Sequence, residues 1–151
     1  MTEAPTSSQS DPFDLQRFVE AQDPIFETVR AELQAGRKRS HWMWFVFPQI
    51  EGLGLTSTSQ LYAISSRAEA EAYLRHPKLG PRLQECARLV IGAHGRSVEE
   101  IFGFPDWRKF VSSMTLFAAV AGGDSIFAEA LQKCCGGARC ETTLEKLVRQ
   151  G

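Results

Sequence analysis

The sequence GRKRSHWMWFVFPQIEGLGL, Gly36 to Leu55, decides how the rest of the chain is interpreted. Three consecutive basic residues precede two of the chain's three tryptophans, and a Pro-Gln pair and a Gly-x-Gly follow. The apolar run from His41 to Phe47 fits a buried strand or a buried helical turn, and periodicity does not separate the two. A hydrophobic core uses aromatic rings without needing adjacent positive charge, whereas a pocket for a flat anionic ligand uses both. Two interpretations follow: a ligand-binding wall, or a core element beside a solvated basic helix end.

The composition is that of a globular protein with little overall charge. The chain has 151 residues, of which 43% are hydrophobic and 23% charged, and its formal net charge is -1. This length suits one domain that can bury its own core. A net charge near zero argues against bulk binding of nucleic acid or of an anionic membrane. A small anionic ligand stays compatible with it, because such a ligand needs only local positive charge.

The N-terminal residues carry no signal-peptide pattern, and no apolar run approaches the length of a membrane span. We therefore expect a cytoplasmic protein that does not enter the membrane. The first residues are rich in Ser, Thr and Pro, which predicts a flexible tail over residues 1–11 and one domain over residues 12–151.

Helix-initiation patterns recur along the chain. Asp23 followed by proline is a typical helix start, and Ser97 with Glu100 forms a capping-box pattern. Ser66 and Asp124 are further candidate N-caps. The apolar run from His41 to Phe47, which we call the aromatic stretch, is the one convincing strand candidate, and a single strand cannot form a sheet. The sequence therefore predicts an all-α fold, a single compact domain of several helices.

The cysteine spacing favours free thiols over a metal site. The four cysteines are Cys86, Cys134, Cys135 and Cys140, and they include no C-x-x-C pair. Adjacent cysteines are poorly placed to share one tetrahedral zinc ion. We therefore expect no metal and no cofactor, with the thiols reduced.

The ligand-wall interpretation assigns a role to each part of the aromatic stretch. Trp42 and Trp44 would stack on a flat ring, and the basic run with Lys38 would meet a phosphate. Alternation along the run also predicts that Trp44 and Phe47 face one side, with the two residues between them on the other. Gly52 and Gly54 would let the backbone approach the ligand closely. The predicted ligand-binding residues are Lys38, His41, Trp42, Trp44, Gln49, Gly52, Gly54 and Ser113.

A second polar cluster begins the segment from Ile101 to Phe117. Asp106, Lys109 and Ser113 fall at i, i+3 and i+7, so that they share one face of a helix. A carboxylate and an amine on one face suit acid–base or Schiff-base chemistry, which makes Asp106 and Lys109 the predicted catalytic residues. The alternative is a capping aspartate with an ordinary surface ion pair.

These motifs resemble a bacterial and plant family of unknown function, DUF1810. The resemblance rests on RKRSHWMWFVFPQIEGLG, EAEAYLRHPKLGPRL, IFGFPDWRKFVSSMTLF and a closing Thr-Leu, and it spans about Phe13 to Leu147. The family is α-helical. Where it usually has Asp before the closing Thr-Leu, this chain has Cys140, which puts any role of that acidic position in doubt.

A more distant likeness is to the NADAR (YbiA-like) proteins, which act on ADP-ribose derivatives or cleave N-glycosidic bonds. It rests on Trp107, Met114, Phe127 and Leu131. It implies a NADAR-like fold and N-glycosidic hydrolysis of a nucleotide or ADP-ribose derivative. The alternatives are a non-catalytic nucleotide-binding module and a protein-interaction domain that uses the aromatics as an anchor. The expected partner is a small nucleotide or ribose derivative, and the oligomeric state stays open.

Overall fold

The structure, a computed structural model, describes residues 11–93 and 95–150. Ten helices occur in this part of the chain. They are α1 Gln16–Gln22, α2 Phe26–Gln34, α3 Met43–Val46, α4 Ser57–Leu61, α5 Arg67–Arg75, α6 Leu79–Ile91, α7 Val98–Phe102, α8 Asp106–Ala121, α9 Ile126–Cys134 and α10 Glu141–Gln150. The β-type pairing found there is an isolated parallel bridge between Ile50 and Ile64. The predicted helical fold class is therefore confirmed, whereas the predicted tail lies, apart from Asp11, outside the described residues.

Local capping signals place several helix starts. The Ser66 hydroxyl accepts a hydrogen bond from the Glu69 N–H at 3.1 Å, at the start of α5. Ser97 and Glu100 form the reciprocal capping box that their spacing predicts. The prediction for α9 is wrong by one residue, since Ser125 rather than Asp124 accepts from the helix backbone. Both residues are good N-caps, and the sequence alone does not rank adjacent candidates.

The aromatic stretch forms a helical turn, α3, rather than a strand. Helical spacing brings residues i, i+3 and i+4 to one face, which puts Met43, Val46 and Phe47 in the core. Trp44 and Phe45 remain partly exposed. The prediction that Trp44 and Phe47 form one set against Phe45 and Val46 is therefore wrong, because Phe47 is buried together with Val46 while Trp44 stays partly exposed together with Phe45.

Helix α8 is the central element of one hydrophobic core, packing against α5, α7, α9 and α10. Eight consecutive residues, Phe110 to Phe117, are buried. Phe110 packs edge-on against Phe47 with ring centres 5.1 Å apart, and Phe117 packs on Tyr73 at 5.3 Å. Because this buried middle fixes the helix, its first turn is held at the surface beside α3. Within the described residues, no helix has both the length and the apolarity to cross a membrane.

The carboxylate of Glu32, on α2, fixes the chain that leads into α3. It accepts hydrogen bonds from the backbone N–H groups of Arg39 at 2.7 Å and Ser40 at 3.1 Å. It also accepts from the Ser40 hydroxyl at 2.5 Å and from the Trp42 indole N–H at 2.9 Å. Burial alone would raise the pKa of Glu32, but these hydrogen bonds outweigh it and hold the pKa below its ordinary value of 4.5. A charged acceptor for four donors sets the position of the whole basic-aromatic segment.

Replacing Glu32 by Gln should destabilise the protein at neutral pH by about 1.5–3 kcal/mol, the usual loss for hydrogen bonds to a charged group. A carboxylate with a lowered pKa in the folded state stabilises the fold above its unfolded pKa of 4.5, and that contribution is lost as pH falls through the folded value. In urea unfolding, the free energy of unfolding of the wild type should therefore exceed that of Glu32→Gln at pH 7, and this difference should shrink below pH 4.5.

The matched control is Glu27→Gln, on the same helix. The Glu27 side chain is 86% exposed in a surface pair with Arg30, so its loss should change stability by less than about 0.5 kcal/mol. Equal effects of the two substitutions at pH 7 would contradict the assigned role of Glu32.

Candidate functional site

An ion cluster stands where the basic run meets the start of α8. The Asp106 carboxylate contacts the Lys38 ammonium at 2.9 Å and the Lys109 ammonium at 3.5 Å. The side chains of Asp106 and Lys109 are 20% and 21% exposed, against 8% for Lys38. The contact between Asp106 and Lys109 agrees with the prediction that these two residues share one face of the helix. Two ammonium groups on one carboxylate leave the cluster with a net positive charge.

Lys38 has its hydrogen-bonding and electrostatic partners within the protein. Besides Asp106, its ammonium donates to the Ser40 carbonyl at 2.5 Å and lies 5.1 Å from the centre of the Trp42 ring. Its backbone N–H donates to the Ile101 carbonyl at 2.7 Å. A nearly buried and fully partnered ammonium holds segments together more readily than it binds a ligand. Lys109, with its longer contact to Asp106, is the more available cation of the cluster.

Trp44 joins this cluster to the Gly-x-Gly turn. The Lys109 ammonium lies 5.1 Å from the centre of its ring, within cation–π range. Trp44 also lines a small cavity together with Gln49, Gly52 and Gly54. The structure thus brings four of the predicted ligand-binding residues together around one partly exposed indole. We call Trp44, Gln49, Gly52, Asp106 and Lys109 the Trp44 site.

The cavity of the Trp44 site is too small to enclose a nucleotide. Its volume is about 10 Å³, which is at the lower limit for one water molecule. Larger grooves of about 540 and 560 Å³ lie elsewhere, and no predicted site residue lines either of them. A ligand at the Trp44 site would therefore rest on the surface, against the exposed part of the indole.

Three other predicted ligand-binding residues lie outside the exposed site. Trp42 is 1% exposed and uses its indole N–H on Glu32, so in this conformation its ring cannot stack on a ligand. Ser113 is fully buried on α8, and its hydroxyl has no hydrogen-bond partner within the described residues. His41 is exposed and directly precedes Trp42 in the sequence. The importance of Glu32 was not predicted, because no local pattern links it to a tryptophan ten residues later.

Cys140 occupies the N-cap position of α10. Its backbone N–H donates to the Thr115 hydroxyl at 3.1 Å, and its carbonyl accepts from the Leu144 N–H at 3.2 Å. Burial raises the pKa of the thiol, but hydrogen bonds from the Ser112 hydroxyl and from Thr143 and Thr142 together bring the pKa below its ordinary value.

The family profile described as "Protein of unknown function (DUF1810)" matches residues 12–147. The chain belongs to the DUF1810 family. A solved structure supports this membership. The conserved hypothetical protein Rv1873 from Mycobacterium tuberculosis is 54% identical to this chain in sequence, and its crystal structure superposes on this one with a TM-score of 0.89. The match covers 91% of this chain and 99% of that one.

These relationships fix the family and the fold of this DUF1810 protein without assigning an activity. No curated protein matches the chain significantly. Neither the family profile nor the structural neighbour supports the remote likeness to NADAR proteins, which rested on a few apolar and aromatic positions of α8 and α9. Phe127 is 2% and Leu131 3% exposed, and Met114 is fully buried, so helical packing alone accounts for these residue types.

The two tryptophans of the aromatic stretch should respond differently to truncation. Trp42→Ala removes a buried ring and should cost about 3–5 kcal/mol of unfolding free energy. Trp44→Ala removes a partly exposed ring and its contact with Lys109, at about 1–2 kcal/mol. Urea denaturation of both variants measures the difference. Equal losses would show that Trp44 belongs to the core rather than to a surface site.

Cys140 should be the first of the four cysteines to react with iodoacetamide. Burial raises the pKa of Cys86 and of Cys135 to about 12, and burial also raises that of Cys134. Since the thiolate is the nucleophile, Cys140 alone should carry a substantial reactive fraction near about pH 8. Peptide mass spectrometry after brief labelling measures the order, and faster labelling of Cys134 would contradict it. Cys140→Ser should abolish the fast phase.

Proposed function

We propose that this DUF1810 protein binds a small anionic ligand of the nucleotide or ribose-phosphate class at the Trp44 site. One observation carries the proposal: the Lys109 ammonium lies over the Trp44 ring while the carboxylate it faces is already paired at 2.9 Å with Lys38. Positive charge beyond what Asp106 neutralises therefore stands beside a partly exposed aromatic surface. A flat ring on Trp44 and a phosphate on Lys109 satisfy both groups.

The remaining residues of the site supply polar contacts and room. Gln49 is partly exposed and offers an amide that both donates and accepts hydrogen bonds. Gly52 has a backbone φ of +94°, a conformation that favours glycine, and it keeps the turn free of a side chain beside the cavity. His41 is exposed and lies two residues after the basic run in the sequence.

Hydrolysis of an N-glycosidic bond is the second candidate function. It is favoured by the partly exposed Asp106 carboxylate next to the Lys109 ammonium, a pair that suits a cationic sugar transition state and a leaving group that needs a proton. In that reaction water attacks the anomeric carbon, the carbon–nitrogen bond breaks, and the base leaves with a proton. The net positive charge of the cluster favours binding an anion over stabilising a sugar cation, so we rank binding first.

A protein-interaction role has less support. Large exposed apolar side chains include Phe104 at 74% and Leu55 at 87%, but they belong to separate segments. Apolar side chains scattered singly are ordinary for a protein surface.

The proposed binding predicts a thermal shift and a change in tryptophan fluorescence with ADP-ribose, ADP or ribose 5-phosphate at concentrations up to about 1 mM. Lys109→Met should fold normally, because Asp106 keeps its pair with Lys38, and it should weaken binding about tenfold or more. Asp106→Asn is less informative, since it leaves the nearly buried Lys38 without a carboxylate and should lower stability.

The matched control is Lys133→Met, which removes the ammonium of the surface pair between Lys133 and Glu129. Lys133→Met removes one positive charge, as Lys109→Met does, but outside the Trp44 site, so the affinity for the three compounds should stay at the wild-type value. No response of the wild type to any of the three compounds would refute the proposal. Release of free base from a nucleoside derivative such as NAD, lost in Lys109→Met, would move the assignment from binding to hydrolysis.

A further inference from the structure

Helix α10 is fixed at both ends against the rest of the fold. At its start, the Cys140 N–H is bonded to Thr115 of α8. At its end, the Gln150 amide donates to the Ser65 carbonyl at 3.1 Å and accepts from the Arg67 N–H at 3.0 Å. Leu147, between these anchors, is 6% exposed. The rotation and position of α10 are therefore set, and so is the direction in which Lys146 leaves it.

Lys146 reaches from α10 to the glycine turn of the Trp44 site. A Cβ atom built on Gly52 would lie 2.6 Å from the Lys146 Nζ and 3.1 Å from its Cε. A side chain at this position would have to displace the end of the lysine, so in this conformation the ammonium lies directly against the glycine. Gly52 lines the same cavity as Trp44 and Gln49, so Lys146 lies against one residue of the Trp44 site.

The contacts of the Lys146 ammonium differ from those of the two other lysines near the site. Lys38 and Lys109 pair with Asp106, whereas the Lys146 ammonium makes no ion pair and no hydrogen bond with residues 11–93 or 95–150. The Lys146 side chain is nevertheless only partly exposed. A cation that is partly removed from water without a counter-charge gains from an anion placed beside it.

We propose that Lys146 is a ligand-contacting residue of the Trp44 site and binds the phosphate of a phosphorylated ligand. The proposal rests on the proposed function and deepens it. Lys109 lies over the Trp44 ring from α8, and Lys146 lies against Gly52 from α10, so a phosphorylated ligand at the site would meet positive charge from two elements. The site should accordingly select phosphorylated compounds over neutral nucleosides.

The test titrates ADP-ribose into the wild type and into Lys146→Met, with tryptophan fluorescence or calorimetry as the readout. Lys146→Met should weaken ADP-ribose binding about tenfold or more, the usual effect of one charged hydrogen bond. It should also reduce the dependence of the affinity on ionic strength, because one ion pair fewer is screened by salt. Lys146→Arg keeps the charge and should restore most of the affinity.

Lys133→Met serves again as the control for a change of one charge on an exposed helix face. If the wild type binds ADP-ribose and the Lys146→Met and Lys133→Met variants bind it with equal affinity, the role of Lys146 is overturned while the Trp44 site stands. Equal wild-type affinity for adenosine and ADP-ribose would also overturn it. Absence of binding by the wild type would overturn the proposed function itself, together with this inference.

Discussion

The carboxylate of Glu32 is the constraint on which the candidate site depends. Four donors from Arg39, Ser40 and Trp42 converge on it, and within residues 11–93 and 95–150 the Trp42 indole N–H has no other acceptor. By turning Trp42 inward, Glu32 also sets the start of α3, and helical geometry then places Trp44 at the surface. The same segment carries Lys38 to Asp106. One partly buried charge on α2 thus positions an ion cluster and an indole that lie outside α2.

A second ionic anchor ties the first helix to the chain that follows the site. Glu69 is 2% exposed and pairs with Arg17 at 2.9 Å. The Arg17 guanidinium also donates to the carbonyls of Leu61 and Ala63, at 2.8 and 2.9 Å. Pairing and hydrogen bonding together offset the cost of burying the two charges. This anchor holds the segment that closes the small cavity, since Ala63 and Tyr62 line it opposite Trp44.

The fold class and the helix starts at Ser66 and Ser97 could be predicted because their signals are local, whereas the start predicted at Asp23 is wrong, since α2 begins at Phe26 after Ile25. The capping box of Ser97 and Glu100 involves residues only three apart, and the structure contains it as expected. The site was predictable only in part. Trp42 and Trp44 have equivalent neighbours in sequence. The difference between a core ring and a surface ring depends on the hydrogen bond that the Trp42 indole N–H donates to Glu32, ten residues earlier in the chain. Lys146 lies about ninety residues from Gly52, so no spacing rule connects them.

Cys140 stands at the start of α10, immediately before Glu141. The helix start there requires an acceptor for its free N–H groups, a need that aspartate meets with a permanent charge near neutral pH. At Cys140, burial raises the pKa of the thiol, while hydrogen bonds from Ser112, Thr143 and Thr142 outweigh burial and lower it. Because the Cys140 backbone N–H is bonded to Thr115 of α8 and α10 also carries Lys146, the packing at this helix start helps to set the position of the proposed ligand contact.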